Sequence, residues 1–216
     1  MTGSARMGLA LLPLAAYFFT LGIWQSGKRP RVIAGTTDFG LLAFGVGGLI
    51  AFGPVGQVVV GTVFPRPSLP AWLAVASLVG LLAMIAAIWT RKRLVVYNVE
   101  AADLDRALGQ AMGDVSESTL RTVQGFEDIS GRRGVTVETH RRLRVATIEA
   151  HGERPEALIQ AIYPALIKRL SVVESPATRL AAIWFALSCA TLTIPMSLAL
   201  LARPEVRAAL QKLGGK

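Results

Sequence analysis

The chain has 216 residues, 52% of them hydrophobic, with 23 Lys and Arg against 14 Asp and Glu and a formal net charge of +9. Mean hydropathy is +0.49 and the pI about 10.6, and the apolar excess over a soluble domain's usual roughly 45–50% lies in long charge-free blocks, which argues against a wholly soluble chain. The single cysteine, Cys189, excludes an intramolecular disulfide. Many of the basic residues flank apolar blocks, the pattern of topology signals and of contacts with anionic headgroups, so a nucleic-acid partner is not expected. Arg outnumbers Lys, and Ala, Gly and Leu are abundant, as in a bacterial gene of high GC content. The expected place is therefore a bacterial inner membrane.

The first apolar segment, residues 7–24, is long enough to span a bilayer. It continues through Tyr17-Phe18-Phe19 to Trp24 without a small-residue cleavage site, so it reads as a retained helix with a possible bend at Pro13 rather than a signal peptide. A polar loop with Lys28, Arg29 and Arg31 follows. Thr36-Thr37-Asp38 reads as a helix N-cap. The second segment, residues 39–64, is glycine-rich, carries Gln57 as its most polar residue and has Pro54 near its middle. It reads as a span kinked at Pro54, with a re-entrant segment as the alternative. Ala43, Gly47 and Ala51 share one helix face, where small side chains let a second helix approach.

Residues 72–89 form the clearest span. They carry no charge, reach roughly 26 Å at about 1.5 Å per residue, have Trp at each end, and stop at Arg91-Lys92-Arg93. Ala76, Gly80 and Ala83 line a face suited to packing on the glycine face of the second segment.

The texture then changes. Residues 94–99 form a β-branched, strand-like run. Leu104, Ala107, Leu108, Ala111 and Met112 recur at helical spacing over residues 101–112, with Gly113 placed to end the helix. A strand near residues 120–126, strands at 135–139 and 143–149, and a helix opened by Pro155 follow. The order β-α-β-β-β-α predicts one sheet with two helices on one face. Ser175-Pro176 links to a last span, residues 180–201, with a kink at Pro195 and a short basic tail beyond it.

The fold class is thus an integral membrane protein of four transmembrane helices. Residues 1–93 hold three of them, 94–174 a small soluble α/β domain inserted between the third and fourth, and 175–216 the fourth. The bias of Lys and Arg at the span ends puts the domain in the cytoplasm, with both termini outside.

No motif for catalysis, cofactor or metal emerges. His140 and His151 are eleven apart in sequence, each near a strand end, and read as loop histidines. Glu127-Asp128 reads as a solvated turn, and Ser116 lacks a nucleophile-elbow context. The least bland feature is basic: Arg132, Arg133, Arg141, Arg142 and Arg144 on one predicted hairpin, with Arg91, Lys92 and Arg93. It reads as a solvated face or as a surface for anionic headgroups, partly neutralised by Glu138 and Glu149. The functional expectation is a non-enzymatic membrane protein whose domain mediates interaction with a protein partner or a second copy, in assembling or regulating a membrane complex. A transporter or channel subunit built on the broken second helix is the alternative.

Overall fold

The computed structural model describes residues 3–51, 53–63, 69–116, 118–176 and 178–201. In chain order they form α1 (Gly3–Ser26), β1 (Arg31–Ala34), α2 (Gly35–Ala51), α3 (Pro54–Val63), α4 (Leu69–Trp89), a 3₁₀ turn (Thr90–Lys92) and β2 (Arg93–Tyr97). Next come α5 (Ala101–Val115), β3 (Thr119–Arg121), β4 (Gly125–Asp128), β5 (Arg133–His140), β6 (Val145–Gly152), α6 (Pro155–Leu170) and α7 (Arg179–Leu201). They divide into two compact units, residues 21–40 with 84–183, and residues 1–20, 41–83 and 184–216.

The first unit is an α/β domain. Its sheet has six strands in the order β1-β2-β6-β5-β4-β3, every neighbour antiparallel. Alternation along β6 is clean: Ala146, Ile148 and Ala150 are buried, while Thr147 and Glu149 lie between them half-buried. The buried set meets α5 and α6 in one core with Leu94, Val96, Leu104, Leu108, Met112, Val135, Ile162 and Leu166. A stripe of this width on each helix, facing one side of a pleated sheet, is what period 3.6 against period 2 produces. The other sheet face is covered at β2: the Trp24 ring stands 5.1 Å from Tyr97, whose hydroxyl donates to Asp38 Oδ1 at 2.6 Å.

Several elements depart from the sequence expectation, each because a distant contact outweighs the local signal. Residues 31–34, expected in loop, form the edge strand β1, registered Arg31 on Tyr97 and Ala34 on Leu94. The helix after them begins at Gly35, so Asp38 sits within its first turn and bonds Tyr97 instead of capping. α5 runs two residues past Gly113, because Val115 packs on the core and the Asp114 carboxylate meets Arg169. The strand expected near residues 120–126 is a hairpin, β3 and β4, closed by Thr122 N–H to Gly125 O at 2.9 Å. Leu143 and Arg144 belong to the β5–β6 turn, not to a strand.

In the second unit Phe18 stacks on Trp184 at 5.8 Å, Phe19 meets Phe185 edge-on at 5.4 Å, and Ser188 Oγ donates to Ala15 O at 2.9 Å. Among the described residues, Pro70–Lys92 is long and apolar enough to cross a bilayer, with mean hydropathy 2.4. Gly35–Ala51 and Gly56–Thr62 pass the same test only when taken as one span bent by 52°. Ala10–Ser26 and Arg179–Thr193 are shorter apolar stretches. The basic tail and residues 64–68 lie outside the described residues.

Candidate functional site

The domain is tied together by a buried polar junction of short chain segments. Asn98, fully buried, donates from Nδ2 to Gly27 O at 2.7 Å and accepts from Ser175 Oγ at 3.2 Å. Ser175 Oγ in turn accepts from Arg144 Nη2 at 2.9 Å, and the Ser175 N–H donates to Lys28 O at 2.8 Å. Gln25, buried, donates to Leu143 O at 3.2 Å, and Arg144 Nη2 also meets Glu100 Oε1 at 3.0 Å. Two of these residues adopt left-handed backbone, Asn98 at φ 55° and Arg144 at φ 50°. Such a conformation costs a non-glycine residue of order 1 kcal/mol or more and persists where surrounding bonds over-determine it. The junction joins the end of α1 and the residues that follow it (25–28) to the linker before α7 (175–176) through the β2 end and the β5–β6 turn.

That geometry disperses the basic patch expected from the sequence. Arg144 is in the junction. Lys92 Nζ and Arg93 Nη2 each lie 2.8 Å from Glu149, on the neighbouring strand. Burial alone would raise the Glu149 carboxyl; the hydrogen bonds and charges of Lys92 and Arg93 outweigh it and hold it below its ordinary value. Arg132 and Arg133 stand at one end of β5 and Arg141 and Arg142 at the other, roughly 26 Å apart along a strand rising about 3.3 Å per residue. Arg91 is exposed. The eight residues therefore do not form one surface, because a hairpin brings together residues across its strands and separates those at its two ends. Glu138 faces Thr147 across the hairpin and lies 3.7 Å from His140, so it does not neutralise the arginines.

Two clefts in the domain have opposite character. The first, of about 710 Å³, is lined by Lys28, Arg29 and Arg31 together with β1, Trp24, Thr37 and the α6 residues Tyr163 and Ile167. Among the described residues no carboxylate lines it. The second, of about 690 Å³, lies on the sheet face away from α5 and α6 and collects Glu127, Glu138, Glu149, His151, Thr136 and Thr147. There His151 Nε2 is 3.6 Å from Glu127 and its Nδ1 is 3.4 Å from Thr136 Oγ1, a pairing that the separation of these residues in sequence hid. Asp128, beside Glu127, is held below the usual carboxylate range by the Ser130 hydroxyl, with Ser116 adding a second bond. Among the described residues no group of three or more His, Cys, Asp or Glu is placed to hold a metal.

In the helical unit, the six small residues expected to pack, Ala43, Gly47, Ala51, Ala76, Gly80 and Ala83, do line one space, an apolar cavity of about 570 Å³. Among the described residues no atom of a facing helix lies within 4 Å of a Cβ placed on Gly47 or Gly80, so the two faces leave a gap instead of interlocking. Gly48, beside Gly47 on the same helix, does pack closely on α1: a Cβ there would stand 2.7 Å from Pro13 Cγ and 2.8 Å from Ala10 O. The helix breaks at Gly53, one residue before Pro54, which becomes the first residue of α3, the position that tolerates its missing N–H. α7 continues through Pro195, whose side chain lies outside those described.

No family model matches the chain, and no curated protein or solved structure is similar to it.

Proposed function

We propose that this chain is an integral membrane protein with four membrane crossings, α1, α2 with α3, α4 and α7, whose cytoplasmic α/β domain is a non-enzymatic module for docking and regulation within a membrane complex. One observation carries the membrane reading. The apolar window of α4 is only 11% buried, although its mean hydropathy is 2.4. A soluble core helix of that composition would be buried all round, and in water such a surface would aggregate. Lipid removes the cost while the helix satisfies its own backbone.

The regulatory part of the reading rests on the junction. The end of α1 and the start of the linker to α7 bond each other through Asn98, Ser175 and Arg144. A partner that shifts the domain's turn at 141–144 therefore bears on both helix ends.

The transporter alternative has one supporting observation, the 52° break between α2 and α3. Against it, among the described residues the cavity beside α2 and α4 is lined by no ionisable side chain, where a translocation path for ions or polar solutes would need one.

The test is extraction and labelling. The chain should remain in membranes through alkaline carbonate and leave only with detergent. In a Cys189→Ser background, a Ser130→Cys variant should react with an impermeant maleimide only after the membrane is opened. Release by carbonate would end the membrane reading; labelling from outside intact cells would reverse the topology.

A further inference from the structure

The geometry points to a binding site for an organic phosphate in the basic cleft beside β1. It carries the docking reading further but does not depend on it, since only the lipid source of the phosphate requires a membrane.

The cleft presents three cations, Lys28, Arg29 and Arg31, all exposed and, among the described residues, without a carboxylate partner. The ion pairs that do form engage Lys92, Arg93, Arg106, Arg121, Arg144 and Arg169 instead. Thr37, Tyr163 and Ser171 also line the space. A donor-rich, acid-free wall suits an anion with several acceptor oxygens, and guanidinium forks match phosphate geometry.

The cations are carried on backbone that is already fixed. Gly27 O accepts from Asn98 and Lys28 O from the Ser175 N–H, Pro30 is buried, and Arg31 is registered on Tyr97. Binding there would order side chains only, and a preorganised loop spends less of its interaction energy on ordering.

A cleft of about 710 Å³ is far larger than a phosphate group and falls in the usual range for small-molecule sites. Trp24, Pro30, Ile33, Ala34 and Ile167 supply an apolar part. The ligand is therefore a phosphate ester with an apolar body. A phospholipid headgroup with the first part of its chains and a soluble phosphorylated metabolite share this chemistry.

The full chain in detergent, wild type and K28Q/R29Q/R31Q, would be titrated with phosphatidylglycerol and, separately, with inorganic phosphate, reading thermal shift and retained mass by native mass spectrometry. An R132Q/R133Q/R142Q variant removes the same charge elsewhere on the domain. Wild type and this control should bind, and the cleft variant should weaken by about tenfold or more, as the loss of charge-assisted bonds worth over about 1.4 kcal/mol implies. Single R29Q, which disturbs one exposed side chain, should weaken binding in the same direction and by less. Binding of phosphatidylglycerol identifies the lipid source; binding of inorganic phosphate without phosphatidylglycerol identifies a soluble one. Wild type that binds neither probe, a cleft variant that binds like wild type, or a control that loses as much as the cleft variant each overturns the site. None of these outcomes bears on carbonate extraction, which tests the membrane reading separately.

Discussion

The same residue type meets opposite fates in the two units. In the α/β domain Leu108, Leu166 and Leu170 are 0% exposed; in the helical unit Leu73 is 59% and Leu78 and Leu82 56% exposed. The domain hides its apolar surface within the chain, between a sheet and two helices. The helical unit leaves it outward and keeps a gap between small-residue faces. On the membrane reading proposed above, one unit is organised by water around it and the other by lipid, in which an outward leucine costs nothing.

Leucine truncation breaks this comparison most directly. Leu108→Ala should cost about 2–5 kcal/mol, since a buried side chain leaves a cavity that α5 and α6 cannot close. Leu82→Ala should stay within about 0.5 kcal/mol. Thermal unfolding of both in the same detergent decides the matter, and equal losses would put α4 inside a packed protein core.

Asn98→Ala removes the bonds to Gly27 O and Ser175 in a fully buried place. The expected loss is about 1–3 kcal/mol from the polar groups left unpaired. Hydrogen exchange should accelerate at the Ser175 amide, which donates to Lys28 O. Unchanged protection there would show that the junction does not hold the linker.

Within the helical unit, Gly48→Ala meets Pro13 and Ala10, whereas Gly47→Ala meets open space. The first should destabilise by about 1–2 kcal/mol and the second should not, measured by melting in detergent. A loss at Gly47 would restore the interlocked seam that the sequence suggested.

The smallest effect belongs to Glu149. Its folded-state carboxyl is depressed, so the pairs with Lys92 and Arg93 add stability above the ordinary carboxylate value, and that stability is lost as pH falls through the depressed one. The group is about one-third exposed, at 32%, so screening limits the gain to under about 1 kcal/mol. Glu149→Gln should lower the melting temperature slightly at neutral pH, and the difference from wild type should vanish in acid. A difference that persisted in acid would place its cause elsewhere.

Periodicity alone determined the amphipathic faces of α5 and α6, the apolar run of α4, and the strands β2, β5 and β6 in outline, because each is a local pattern of burial read at period 3.6 or 2. A bend at Pro54 was legible because proline has no N–H to give; that one helix ends at Ala51 and another starts at Pro54 was not. Tertiary structure decided the rest. β1 is four residues long and exists only because residues 94–97 offer it a partner from beyond three helices. Its one local hint was the β-branched pair Val32-Ile33. Arg144 looked like its neighbours Arg141 and Arg142, yet a left-handed turn places it in the junction while they remain exposed. Lys28, Arg29 and Arg31 read as a topology signal, and only the packing of α6 near β1 makes them one wall of a cleft. Charge type is written in the sequence; which charges converge depends on register and turns, and those are settled by contacts between residues far apart along the chain.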